Sequence, residues 1–197
     1  MSLSGKNILL GVTGGVAAYK AAELCRLLRK TGASVRVAMT EAACRFVTPL
    51  TFQALSGKPV LTSQWDENEN GMAHINLSRQ ADAIVIAPAT ADFIAKLAHG
   101  MADDLLSAMC LARDCPLLVA PAMNRQMWER AATQRNISLL KADGVGILGP
   151  DSGLQACGEE GMGRMLEAAE LALGIASCLH PKQMQGVKVL MTAGPTY

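Results

Sequence analysis

Three side chains between the apolar segments of the chain could either bind a ligand or transfer a proton: His74, Asn124 and Cys157. A histidine can take up a proton near neutral pH, and an asparagine amide can hold a carboxylate or a carbonyl through its NH2 group. An exposed thiol is mostly protonated at pH 7 and can donate that proton. A structural histidine, a helix N-cap and an incidental loop thiol are the ordinary alternatives, and the residues alone leave both interpretations open.

A second group of residues suits a phosphate monoester. A glycine pair, Gly14 and Gly15, stands between an apolar run and an amphipathic stretch, and Thr40, Thr90 and Asp92 follow two further apolar runs. Backbone N–H groups at a helix start, together with hydroxyls, bind the phosphate of a mononucleotide. The glycine turn is not the dinucleotide pattern, and a threonine stands where a ribose-binding carboxylate is expected, so NAD is disfavoured. Ordinary helix capping by these residues remains the alternative.

The elements that position these residues alternate between strand and helix. Five near-continuous apolar runs predict strands that are covered on both faces. They lie at 8–12, 35–39, 83–87, 117–120 and 145–148. Helical patterns lie between them, with a break near Gly100, and a last helix is predicted over 166–179. We therefore expect an α/β fold with a doubly wound parallel sheet, a Rossmann-like or flavodoxin-like three-layer sandwich. Ligands bind beyond the carboxyl ends of such strands, where the residues above fall.

Two segments fall outside this alternation. Residues 151–164 contain four glycines and no periodicity, which predicts a long loop able to act as a lid. After a linker, an apolar run at 187–191 precedes another glycine turn. We expect one domain over 1–180, followed at 181–197 by a linker and the first strand of a truncated second domain.

Composition narrows the classes of partner. The chain has 197 residues, half of them hydrophobic, and a formal net charge of +1. Its cations are scattered, which disfavours nucleic acid and anionic membranes, and no run of about 18 apolar residues is present. The six cysteines show no CxxC pair or metal-ligand spacing, so we expect no metal and a reducing, cytoplasmic location.

At this point the chain resembles a known family, the homo-oligomeric flavin-containing cysteine decarboxylases. The similarity covers nearly the whole chain and is greatest to the decarboxylase half of the bacterial fused phosphopantothenoylcysteine decarboxylase and phosphopantothenate-cysteine ligase. The segments that carry it are GVTGGVAAYK from position 11, His74 before Ile75, APATAD from 87, PAMNRQMW at 121–128 and ACGEEGMGRM at 156–165. The tail from 190 resembles the opening strand of the ligase half.

The resemblance implies FMN as the cofactor, and it implies roles for individual residues. FMN would be held by Gly14, Gly15, Val16, Thr40, Thr90 and Asp92. His74 would be the active-site base and Cys157 the late proton donor. Asn124 would bind the substrate carboxylate, with Met127 and Ala156 also contacting the substrate. One departure is Asp103, where the family pattern leads us to expect an asparagine, and a carboxylate cannot replace the NH2 donor of that amide.

The resemblance also implies a reaction, decarboxylation of 4'-phosphopantothenoyl-cysteine to 4'-phosphopantetheine in coenzyme A biosynthesis. It implies homotrimers with flavin sites between subunits, which can assemble into dodecamers, and natural fusion to a ligase domain. There are four alternatives. The chain could decarboxylate a peptide C-terminal cysteine or prenylate flavin, or it could be a non-catalytic regulatory subunit or a flavodoxin-like electron carrier. The ligase-like tail favours the coenzyme A route.

Overall fold

The computed structural model describes residues 2–63 and 73–180, together with residues 188, 190 and 194. Its core is a five-stranded parallel sheet with the strand order β2-β1-β3-β4-β5. The strands are β1 (Asn7–Val12), β2 (Ser34–Met39), β3 (Ala83–Ala89), β4 (Leu117–Pro121) and β5 (Gly146–Ile147). This is the flavodoxin-like order, in which the chain changes direction across the sheet between β1 and β3. The predicted fold class is therefore confirmed.

Helices cover both faces of the sheet. The described residues form α1 (Ala18–Lys30), α2 (Glu41–Cys44), α3 (Pro49–Ser56), α4 (Ala73–Gln80), α5 (Ala91–Ala98), α6 (Leu105–Leu111), α7 (Arg125–Glu129), α8 (Ala131–Ala142) and α9 (Ala168–Leu179). Local sequence explains several boundaries. Pro49 opens α3 and Gly57, with φ of 70°, closes it, as proline and glycine commonly do at helix ends. Asp104 and Ser107 form a capping box at α6.

Alternate residues of each strand feed two hydrophobic clusters. From β1, Leu10 points into a cluster with α1, α3 and α9, whereas Leu9 points into a cluster with α5, α6 and α8. The fully buried Phe52 and Phe93 lie in the first and second clusters, respectively. Burial of each such side chain contributes about 1.5–3 kcal/mol. The sheet is thus rigid under the strand ends that carry the site.

The prediction of a long loop over 151–164 is wrong. This segment contains an antiparallel hairpin of β6 (Asp151–Leu154) and β7 (Glu160–Arg164). Its glycines and exposed polar residues hide the alternation that marks a strand in sequence, because the hairpin lies on the surface and buries little apolar area. The strand pairing is stabilised by contacts with a neighbouring helix, described below.

The remaining predictions either agree with the structure or concern residues that it does not describe. The helical region after residue 91 breaks as predicted, because α5 ends at Ala98 and α6 begins at Leu105. Helices α2, α3 and α4 were not predicted. The proposed strand at 187–191 and most of the proposed linker fall outside the described residues. Among the helices that the structure describes, none is both long and apolar enough to span a bilayer.

Candidate functional site

The carboxyl ends of β1 and β3 are tied together by Thr13. Its buried hydroxyl, 2% exposed as a residue, donates to the carbonyl of Pro88 at 2.8 Å and accepts from the backbone N–H of Thr90 at 3.1 Å. The two loops at the reversal point of the sheet are thereby held in fixed register. Thr13 lies in the segment that begins at position 11, which carries the family resemblance. Its positioning role could not be predicted from the sequence, because its partner Thr90 is 77 residues away along the chain.

The glycine turn beside Thr13 presents free backbone donors. In the described part of the chain, the N–H groups of Gly14, Gly15 and Val16 donate no hydrogen bond. A Cβ at Gly14 would collide with Ala42, so the backbone approaches α2 as only glycine allows. Unpaired N–H groups immediately before α1 form a cradle for an anion. The free N–H groups of the turn are therefore compatible with the predicted phosphate-binding role.

The two threonines at strand ends act as helix caps. The hydroxyl of Thr40 accepts from Ala43 N–H at 3.2 Å, and that of Thr90 accepts from Phe93 N–H at 3.3 Å. The alternative of ordinary capping is thus observed at both positions. Each hydroxyl still has its own hydrogen to donate, so capping and phosphate binding are compatible.

A cleft of about 560 Å³ opens at this edge of the sheet. Eight of the predicted site residues line it: Gly14, Gly15, Val16, Thr90, Asn124, Met127, Ala156 and Cys157. Thr40 and Asp92 do not line it. His74 lies in the first turn of α4, and its side chain is outside the described residues. The structure therefore brings together most of the predicted site and leaves the role of His74 a prediction.

Asn124 is both a helix cap and a donor to the hairpin. Its Oδ1 accepts from Gln126 N–H at 2.8 Å and caps α7. Its Nδ2 donates to Glu159 Oε2 at 2.7 Å, and Cys157 Sγ lies 3.5 Å from the same nitrogen. The cap fixes the orientation of the amide, so the NH2 group points towards the hairpin and the cleft. The observed cap is therefore compatible with the predicted carboxylate-binding role of Asn124, which stays a prediction.

The hairpin that carries Cys157 is docked on α7 rather than free. Met123 N–H donates to the carbonyl of Gly163 at 2.9 Å, and a Cβ at Gly163 would collide with Met123 O. Gln155 Oε1 accepts from Arg125 N–H at 3.0 Å, while its Nε2 donates to Met162 O at 3.1 Å. The strands are therefore anchored, and the exposed thiol of Cys157 is carried on the turn between them.

Two cationic side chains that were not identified from the sequence as site residues also line the cleft. Lys20 Nζ forms an ion pair with Glu167 at 2.8 Å with only 11% of its side chain exposed, and Arg164 pairs with the same carboxylate. Hydrogen bonds from Lys20 and then from Arg164 lower the pKa of Glu167. The single negative charge of Glu167 neutralises only one of these two positive charges, so this end of the cleft favours an anionic ligand.

Burial separates inert thiols from accessible ones. Desolvation raises the pKa of Cys25 to about 11 and that of Cys110 to about 12. Cys157 and Cys178 are exposed, and all six thiols are free. Only Cys157 combines exposure with a place in the cleft.

The unexpected Asp103 lies away from this cleft. Its carboxylate binds Lys96 Nζ at 2.8 Å and is about half exposed. The hydrogen bond from Lys96 lowers the pKa of Asp103. No group of histidine, cysteine, aspartate or glutamate side chains within the described part of the chain could hold a metal ion.

A flavodoxin-like sheet with an anion-binding glycine turn at its reversal point defines a nucleotide-binding α/β protein. The chain belongs to the flavoprotein family, whose model matches residues 1–180. It is 54% identical over its full length to the coenzyme A biosynthesis bifunctional protein CoaBC of Haemophilus influenzae. The chain spans about half the length of the curated relatives it matches.

Two solved structures resemble the chain closely. A mutant PPC decarboxylase complexed with pantothenoylaminoethenethiol is 32% identical, with a TM-score of 0.78, covering 87% of this chain and 97% of its own. The FMN-dependent cysteine decarboxylase SpaF is 36% identical, with a TM-score of 0.76, covering 89% of this chain and 99% of its own.

Proposed function

We propose that this chain is the decarboxylase domain of a coenzyme A biosynthesis enzyme, and that it converts 4'-phosphopantothenoyl-cysteine to 4'-phosphopantetheine and CO2 with FMN. One observation carries the proposal: a single cleft brings the glycine turn, the amide of Asn124 and the thiol of Cys157 together. The identities of the similar proteins, a coenzyme A biosynthesis protein and two decarboxylases, support it.

The residues present fit FMN. Unpaired N–H groups at Gly14, Gly15 and Val16 would hold the phosphate, with Thr90 at the neighbouring strand end. Thr40 and Asp92 would contribute from beside the cleft. Bound FMN would supply a reversible two-electron acceptor, which would allow the cysteine CH2–SH to become a C=S group that can accept the electrons released with CO2, with no net redox change and no need for an external electron donor.

The chain's own residues bind the acid and control its protons. The NH2 group of Asn124, fixed by the cap at α7, holds the substrate carboxylate, while Met127 and Ala156 contact the rest of the substrate. Cys157 holds a proton on Sγ at the hairpin turn and delivers it to the product carbon, and His74 assists proton removal at the first step. Lys20 and Arg164 make the cleft favourable for an anionic substrate.

We also propose that the active form is a homotrimer, with dodecamers as a higher assembly. Three apolar side chains lining the cleft are exposed in the single chain: Val16 at 59%, Tyr19 at 63% and Leu154 at 70%. Exposed apolar surface marks a ligand-binding groove or a subunit contact, and a cofactor site between subunits would account for both here. Light scattering on the FMN-bound protein tests this proposal, and a monomer with full activity contradicts it.

The domain organisation and location follow from the same assignment. Residues 1–180 form the FMN-binding domain, and 181–197 lead into a ligase domain, in line with the half-length match to the bifunctional relatives. Six free thiols suit the reducing cytoplasm.

Product analysis tests the proposed reaction. The FMN-bound protein is incubated with 4'-phosphopantothenoyl-cysteine, and CO2 and phosphopantetheine are measured by mass spectrometry. Equal amounts of both products are expected. Consumption of a peptide C-terminal cysteine instead would assign the peptide reaction, and FMN binding without any CO2 would point to an electron carrier.

A further inference from the structure

The amide of Asn124 faces more acceptors than it has hydrogens. Its Nδ2 carries two hydrogens, yet Glu159 Oε2 lies at 2.7 Å, Gln155 Oε1 at 3.4 Å and Cys157 Sγ at 3.5 Å. The contact with Glu159 is the shortest of the three, and charge assistance strengthens it. Glu159 is therefore the main acceptor of the group that the proposed function assigns to the substrate.

The carboxylate of Glu159 resembles the substrate carboxylate in charge and shape. Two carboxylates bound to one NH2 group would lie within a few ångströms and repel each other. In the part of the chain that the structure describes, no lysine or arginine forms an ion pair with Glu159, so the charge of this carboxylate is not neutralised by a direct partner. The substrate and Glu159 should therefore compete for Asn124.

Glu159 can leave Asn124 without unfolding the hairpin. It lies at the end of a tight turn, closed by hydrogen bonds from Gln155 N–H to Glu159 O at 2.8 Å and from Gly158 N–H to Gln155 O at 2.9 Å. The hairpin is anchored by other residues, because Gly163 O accepts from Met123 N–H and the side chain of Gln155 accepts from Arg125 N–H. A side-chain rotation at Glu159 is therefore enough to free the amide.

We propose that Glu159 is a specificity-determining residue whose carboxylate competes with the substrate carboxylate for the amide of Asn124. The inference rests on the proposed function, since it takes Asn124 as the carboxylate-binding residue. It means that a ligand with a carboxylate must displace Glu159, whereas a ligand without one binds with Glu159 in place. Glu159 thus lowers affinity for the acid relative to the decarboxylated product.

Two ligands and three variants test the competition. The ligands are 4'-phosphopantothenoyl-serine, which keeps the carboxylate but has no thiol to react, and phosphopantetheine, which has no carboxylate. Their Kd values are measured by calorimetry on the FMN-bound wild type and on Glu159→Gln, Glu159→Ala and Glu160→Gln. Glu160 is the matched control, because it is exposed and makes no contact with Asn124.

We expect Glu159→Gln and Glu159→Ala to bind the serine ligand roughly three- to fivefold more tightly, the effect of removing a partly solvated charge. Phosphopantetheine affinity should stay the same, and Glu160→Gln should match the wild type. Weaker serine-ligand binding by Glu159→Ala would mean that Glu159 only positions Asn124, which overturns the proposal. An equal gain in Glu160→Gln, or for both ligands, overturns it as well. If the wild type binds neither ligand, the proposed function itself fails.

Discussion

The hydroxyl of Thr13 and the backbone N–H of Thr90 are joined by a 3.1 Å hydrogen bond between loops that are 77 residues apart. This contact holds the glycine turn after β1 against the cap of α5 after β3, on either side of the reversal point of the sheet. The position of the glycine turn therefore depends on a buried hydroxyl that does not line the cleft.

Replacing Thr13 with valine should weaken FMN binding. The substitution keeps the shape but leaves Thr90 N–H without its buried acceptor, at a cost of about 1–3 kcal/mol. We expect a loss of roughly tenfold in FMN affinity and a lower melting temperature, measured by flavin fluorescence and calorimetry. Thr13→Ser keeps the hydroxyl and should stay near the wild type. A valine variant with unchanged FMN affinity would contradict the positioning role.

Asn124→Asp should retain the yellow cofactor and lose turnover. The aspartate can still cap α7 through its carboxylate, but it lacks the NH2 group and repels both Glu159 and the substrate carboxylate. We expect CO2 release to fall by roughly 100-fold, the effect of losing a hydrogen bond to a charged group. The visible spectrum should not change. Undiminished activity would remove Asn124 from carboxylate binding.

Cys157→Ser should still release CO2 but accumulate an oxidised, unsaturated product. The serine hydroxyl is a far weaker acid than a thiol, so the last proton transfer fails. Mass spectrometry should detect a product lacking one pair of hydrogens relative to phosphopantetheine. Cys178→Ser, which removes the other exposed thiol, is the control and should give the normal product. Normal product from the Cys157 variant would exclude this thiol from the reaction.

Alkylation should separate the cysteines by burial. Iodoacetamide at pH 8 reacts with thiolates, and burial raises the pKa of Cys25 to about 11 and of Cys110 to about 12. We expect peptide mapping of the native protein to show modified Cys157 and unmodified Cys25 and Cys110. All should react in denaturant. Rapid modification of Cys110 in the native protein would show that the second hydrophobic cluster opens readily.

Glu167→Gln should reduce the sensitivity of stability to acid. The hydrogen bonds from Lys20 and Arg164 lower the pKa of Glu167 in the folded state. The stability that it contributes is therefore present above its unfolded-state pKa and is lost as the pH falls through the lowered folded-state pKa. The variant should melt roughly 2 °C below the wild type at pH 7, and the difference should shrink as the pH falls below the unfolded-state pKa of glutamate. A constant difference across this range would contradict the assignment.

The sequence predicted the sheet because its strands are buried on both faces. Runs such as 83–87 read as continuous apolar segments, and the turns and caps after them carry recognisable residue types. The hairpin at 151–164 could not be predicted in this way, since its pairing depends on contacts of Gly163 and Gln155 with α7 and not on local alternation.

The candidate site was predictable only in part. Gly14, Asn124 and Cys157 were identified from residue type, position and family resemblance. Lys20 and Arg164 could not be identified as cleft residues, because only the packing of α1 against α9 brings Lys20 to Glu167, the carboxylate that Arg164 also binds. The contact between Asn124 and Glu159 likewise joins segments whose proximity no spacing reveals.

Dependence of CO2 release on FMN tests the central claim most directly. The flavin-free protein is titrated with FMN in the presence of 4'-phosphopantothenoyl-cysteine labelled in its carboxyl group, and bound flavin and labelled CO2 are measured in the same samples. We predict that the rate of release rises in proportion to bound FMN and stops rising at one FMN for each chain. No release at saturating FMN, or release that does not depend on FMN, would contradict the account.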